Sequence, residues 1–240
     1  FRMNPLVWCL RADVAAELRL LRRYSVFTFQ RMKFMNRISR YYFHRSVLSL
    51  LIAAMIYAPP GMTAFTSNVI GVVNDETVDG SQRVDERGTT NNAHIINHGN
   101  QEVYGGISNG SVIDTGGHQE VSGHGSYQGQ ANNTVINGGS QTISEGGIST
   151  GTIINDKGTM SVLTNAKADA TRIDNGGAMD VAGNATNTII NGGTQNIYNH
   201  GIATGTNINS GTQNIKSGGK ADTTNISSGS KQVVEKGGTA

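Results

Sequence analysis

Four histidines are the first residues that could do chemistry: His94, His98, His118 and His124 lie within 31 residues of one another. Clustered imidazoles can hold zinc when Cys or acidic partners stand at motif spacing. No such partner does, and two of the four occupy repeat columns otherwise held by Thr and Gly. Asp114 and Asp174 are the obvious carboxylates for an acid pair that cleaves a polysaccharide. Both stand in a column of Asn, where Asp is a modest structural change. Ser-His pairs occur without an organising acid. The Gly-Gly runs resemble calcium-binding nonapeptides, yet GGTQN at 192–196 lacks the Asp and the third Gly. No helix follows these glycines, so neither a P-loop nor a dinucleotide fingerprint is present. The expectation is no catalytic, metal-binding or cofactor-binding residue, and no enzyme.

The elements that position these residues are repeats. Anchored on Ile96, Ile113, Ile136, Ile154, Ile173, Ile190, Ile208 and Ile226, the intervals are 17, 23, 18, 19, 17, 18 and 18. The long interval contains GHGSYQGQANN, residues 123–133, which reads as an inserted loop. Two positions before the anchor stand His94, Ser111, Thr134, Thr152, Thr171, Thr188, Thr206 and Thr224. Directly after it stand Asn97, Asp114, Asn137, Asn155, Asp174, Asn191, Asn209 and Ser227.

A second apolar column follows at Val103, Val121, Ile143, Val162, Val181, Ile197, Ile215 and Val233. Gln101, Gln119, Gln141, Gln195 and Gln213 precede it by two, with Met160, Met179 and Lys231 as departures. A degenerate earlier unit is legible at 80–88, GSQRVDERG.

Thr-x-Ile and Gln-x-Val are period-2 patterns, so each unit predicts two short strands, with the intervening residue outward. Glycine supplies corners where a Cβ clashes. One unit of about 18 residues cannot bury a core, but stacked units can. The fold expected is all-β: a right-handed parallel β-helix, a β-solenoid of ~18-residue rungs spaced ~4.8 Å apart. About nine rungs make a rod of roughly 40 Å, in which Asn columns hydrogen-bond along the stack.

Composition and charge agree. Glycine is 32 of 240 residues and charged residues are 15%. Residues 1–64 hold ten Lys or Arg and two acids, a net of +8, whereas 65–240 hold nine and fifteen, a net of −6. The basic charge sits in a leader and not in the repeat body, so no nucleic-acid partner is expected. Within 35–64, Arg37, Arg40 and Arg45 precede a 13-residue apolar run from Ser46 to Ala58, then Pro59, Pro60 and Gly61. This run is short for a membrane span, which needs ~20 residues, and reads as a signal peptide cleaved after Ala64, with an N-terminal membrane anchor as the alternative. Residues 1–34 read as an upstream extension absent from the mature protein, and 65–240 as the repeat body. The only cysteine is Cys9, so no disulfide staples that body.

The run GGTQNIYNHGIATGTNI, Gly192 to Ile208, and its counterpart GGSQTISEGGISTGTII, Gly138 to Ile154, resemble the repeats of AIDA-type autotransporters. These are self-associating adhesins of Gram-negative bacteria, and the resemblance covers about residues 76–240. It implies a passenger exported through the periplasm to the cell surface by a C-terminal β-barrel. No barrel pattern of alternating segments occurs in this chain, so it reads as a truncated passenger. The implied work is cell adhesion, autoaggregation and biofilm formation, a virulence trait. The implied partners are the same protein on neighbouring cells, or host and abiotic surfaces. Two other readings stand beside it. One is a β-helical enzyme or toxin whose active part lies beyond residue 240, and the other is a degenerate passenger without function.

Overall fold

The computed structural model describes residues 65–240; the upstream extension 1–34, the signal segment 35–64 and Cys9 lie outside the described residues. Among those described there is no helix, only short strands from Asn68–Val69 to Lys231–Val234. The strand ladders are parallel, with residues of one turn lying over their equivalents in the next: Gln101 over Gln82, Ile113 over Ile95, Ala203 over Ala185. The fold is a parallel β-solenoid of nine turns, counted on its nine-stranded column.

Each turn contributes three strands, one more than the two legible repeats. The first carries the Gln-x-Val pattern, as in Asn100–Tyr104 and Ser140–Ile143. The third carries the Ile, as in Val112–Asp114 and Val135–Asn137. Between them lies the strand that periodicity missed, as in Ile107–Asn109, Gly147–Thr150 and Ile202–Thr204. Its inward residue is Val73 in the first turn and small in the other eight: Thr90, Ser108, Ala131, Ser149, Ala168, Ala185, Ala203 and Ala221. A single small residue per turn leaves no apolar alternation to detect, although it sets how closely the three sides approach.

The core follows the expected parity. Ile113, Ile136, Ile154, Ile173, Ile190 and Ile208 are fully buried, as are Val103, Val121, Ile143, Val162, Val181, Ile197 and Ile215. Arg172, directly before Ile173, is exposed. Full burial of each such side chain contributes about 1.5–3 kcal/mol, and each needs the turns above and below to achieve it.

Four expectations need correction. The isoleucine column runs through Ile95, not Ile96: Ile95 pairs with Ile113 and His94 with Val112. His94 therefore stands in the outward column, Ala93 takes the place assigned to it among the threonines, and the Asn-column neighbour is Ile96. At the far end Val234 lies over Ile215 and Gln232 over Gln213, so Val233 and Lys231 are outward residues beside the columns. Doublets caused both slips, since Ile95-Ile96 and Val233-Val234 offer two apolar residues for one inward position. Ile226 is in register with Ile208 but 49% exposed, because among the described residues no turn covers it. Last, residues 129–132 of the supposed inserted loop form the middle strand of their turn, in register with Ile107–Asn109.

One corner requires left-handed backbone in every turn. Between the middle strand and the isoleucine strand stand Asp75, Asn92, Gly110, Asn133, Gly151, Ala170, Asn187, Gly205 and Thr223, all with φ between 53 and 72°. Asn, Asp and Gly tolerate this region; Ala and Thr are strained there. Ala170→Gly is thus expected to stabilise the rod by about 1 kcal/mol. Urea unfolding of the two proteins checks it: an unchanged or lowered midpoint contradicts the corner account.

Candidate functional site

Inside the rod the polar residues form a hydrogen-bonded ladder in two stretches. Gln101 Nε2 donates to Gln82 Oε1 at 2.7 Å, Gln119 to Gln101 at 2.6 Å and Gln141 to Gln119 at 2.7 Å. Buried hydroxyls on the other two sides engage the same amides: Gln119 Nε2 also donates to Ser108 Oγ, and Gln141 Nε2 to Thr134 Oγ1. Ser108 and Ser111 share a hydrogen bond of 2.6 Å, as do Ser149 and Thr152. At the foot of the ladder Gln82 Nε2 donates to Glu76 Oε2 at 2.8 Å, and Thr66 Oγ1 donates to Glu76 Oε1 at 2.7 Å. Met160 and Met179 interrupt the amide chain; it resumes with Gln213 donating to Gln195 at 2.9 Å and Gln232 to Gln213 at 2.8 Å. Among the described residues no buried side-chain nitrogen or oxygen lacks a partner. Every such group is thus already partnered within the protein, as buried polar groups normally are.

Outside, the same stacking produces rows of amides. Asn155 donates to Asn137 at 2.7 Å and Asn209 to Asn191 at 2.9 Å, as the repeat predicted for that column. Further rows run through Asn74, Asn91, Asn109 and Asn132, and through Asp180, Asn196 and Asn214. Asp169 accepts from Thr186 Oγ1 and Asn187 Nδ2, and these bonds hold its carboxyl below the usual range. An open depression across this face is lined by Ile148, Lys167, Asp169, Thr186, Ile202 and Thr204.

The candidate carboxylates are not brought together. Asp114 and Asp174 are three turns apart along the same column, through Asn137 and Asn155. At ~4.8 Å per turn that is roughly 14 Å, wider than the ~5–9.5 Å between the carboxyls of glycosidases. Each has a surface partner instead: Asp114 Oδ2 lies 2.6 Å from His94 Nε2, and Asp174 accepts from Arg172 at 3.0 Å.

The histidines disperse as well. His118 Nδ1 lies 2.8 Å from Ser140 Oγ and His124 Nδ1 lies 3.1 Å from Glu86 Oε2, while His98 turns a corner with φ 68°. Among the described residues no group of three or more His, Cys, Asp or Glu side chains could hold a metal ion.

Residues 126–177 match the family described as "Adhesin of bacterial autotransporter system, probable stalk". Over this stretch the chain is similar to the stalks of AIDA-type autotransporters. The chain is 73% identical, over 117 residues, to the probable autotransporter YpjA of Escherichia coli (strain K12). That alignment takes in 49% of this chain but only 8% of YpjA, so the chain spans a small part of its relative's length. In three dimensions the chain superposes on the TibC-catalyzed hyper-glycosylated TibA55-350 fragment with a TM-score of 0.60. Identity there is 29%, and 72% of each chain is covered.

Proposed function

We propose that this chain is part of an autotransporter stalk that is displayed on the surface of a Gram-negative cell and joins cells to one another, producing autoaggregation and biofilm. It acts through its outer faces and carries no catalysis. The observation that carries this reading is the set of outward amide and hydroxyl rows repeated turn after turn. Each Asn or Thr contact with a facing surface contributes only ~0.5–1.5 kcal/mol net. Many such contacts, aligned on a rigid rod and crowded on a cell surface, act together at high effective concentration. Delivery is assigned to the signal segment 35–64 and to a translocator β-barrel outside this chain.

The repeat body carries a net charge of −6, so like-charged rods repel at low ionic strength and moderate salt promotes contact by screening. The test is to produce the whole protein in a non-aggregating Gram-negative host, verify display with a surface label, and follow settling of the culture across salt concentrations. Clumping that increases from low to moderate salt is expected. Displayed protein without clumping or attachment at any salt overturns the reading.

A further inference from the structure

We infer that the hairpin inserted at His124–Gln128 is a contact site for an uncharged sugar, with the ring of Tyr127 as its platform. The interval between Ile113 and Ile136 is 23 residues. Removing the five residues from His124 to Gln128 leaves 18 and joins Gly123 to Gly129. The sequence Val121-Ser122-Gly-Gly would then reproduce the ordinary corner Val103-Tyr104-Gly105-Gly106. The turn is thus complete without the hairpin, and insertions of this kind in solenoids map to loops that often form the binding face.

The hairpin is nevertheless held firmly. His124 and Tyr127 exchange backbone hydrogen bonds of 2.8 and 3.0 Å. The pair lies down over Gly105 in the turn below, where an added Cβ would come within 3.1 Å of His124 Cβ and 3.2 Å of Tyr127 Cβ. The His124 ring stacks on Tyr104 with centroids 4.4 Å apart, and its Nδ1 reaches Glu86, two turns down, at 3.1 Å. Arg83 lies 4.1 Å from the centre of the Tyr104 ring and pairs with Asp85 at 2.7 Å. His124 holds the Glu86 carboxyl below its usual range through that hydrogen bond.

A fixed scaffold of this kind presents Tyr127 50% exposed. Residues 65–240 contain only four aromatics, Phe65, Tyr104, Tyr127 and Tyr198, and two of them meet at this corner. The electron-rich face of an exposed ring receives the C–H face of a pyranose, while its hydroxyls need oriented polar groups nearby. Ser126 and Gln128 on the hairpin, and Glu86, Glu102 and Arg83 beneath it, supply donors and acceptors. Because the hairpin is ordered before any ligand arrives, little conformational entropy is lost on binding. Acidic Asp85, Glu86 and Glu102 outnumber Arg83 and Arg87 here, which disfavours anionic glycans and nucleic acid. A lone exposed ring is too little apolar surface for a lipid.

The experiment uses the full chain and measures saturation transfer by NMR to glucose, galactose, mannose and their disaccharides. Binding in the millimolar range is expected, weakened at least ~10-fold by Tyr127→Ala and retained within ~2-fold by Tyr127→Phe, since the phenyl face remains. Deleting His124–Gln128 restores the 18-residue turn and should abolish the signal while leaving the thermal midpoint within a few degrees. No saturation transfer to any neutral sugar overturns the proposal. So does equal transfer in the deletion variant, or transfer seen only to glucuronic acid when it is added to the panel as a charged comparison.

Discussion

Ile190→Asp divides the rod in two. Ile190 is fully buried between Ile173 below and Ile208 above, in register with both, and the ladders bulge only after it, at Asn191. The substitution removes an aliphatic side chain whose loss alone costs about 2–5 kcal/mol. It also places a carboxylate among isoleucines, where an uncompensated ion costs several kcal/mol more. The Gln and Thr groups of the same turn cannot rescue it, because each already has its partners.

Solenoid stability is nearly a sum of nearest-neighbour terms, so one bad turn breaks coupling locally without unfolding every other turn. The expected result is two separated urea transitions where the native rod shows one. Amide exchange should be accelerated first around residues 189–197, with 100–143 still protected. A single transition at an unchanged midpoint would show that Ile190 does not face the stack. Ile189→Asp, one residue away and outward, serves as the control and should shift the midpoint little.

The contrast between these two neighbours also marks what could be read without coordinates. Period-2 alternation at Thr188, Ile190 and Thr206, Ile208 specifies the inward face, because a one-residue slip exchanges buried and exposed sets. Where alternation is degenerate, as at Ile95-Ile96 and Val233-Val234, the register was settled only by pairing with the adjacent turn. The middle strand was invisible for a different reason: Ala168, Ala185 and Ala203 are inward by geometry, and alanine carries almost no hydrophobic signal. Glu76 likewise gave no sign that it anchors the glutamine ladder, since its partner Thr66 lies ahead of the first strand and Gln82 in the strand Ser81–Val84. The outward Asn rows were legible because repetition of one residue type at one spacing is itself the structural message. The Tyr104–His124–Glu86 corner was not, since it joins three successive turns through an insertion that the repeat cannot anticipate.

Gln119→Met tests what the buried amides contribute. Met160 and Met179 show that this column accepts a thioether of similar length, so packing is largely conserved and hydrogen bonding is what changes. In the native rod Gln119 donates to Gln101 Oε1 and Ser108 Oγ and accepts from Gln141 Nε2. With Met at 119, Gln141 keeps only Thr134 as a good acceptor and Gln101 Oε1 keeps only the Ser108 hydroxyl. Each buried group left short costs about 1–3 kcal/mol, so a loss of roughly 2–4 kcal/mol is expected.

The reverse change has the opposite sign. Gln195 Nε2 now points at Met179 Sδ, 3.7 Å away, a weak acceptor. Met179→Gln would offer it an amide oxygen, while its own amide would still face Met160. Met160→Gln together with Met179→Gln joins the two halves of the ladder from Gln82 to Gln232. The pair should therefore be more stable than the single changes sum to, with a coupling of about 0.5–3 kcal/mol. Urea midpoints for the three variants and the parent decide the matter. Additivity, or a Gln119→Met protein as stable as the parent, would mean that the ladder aligns the turns without adding to their stability.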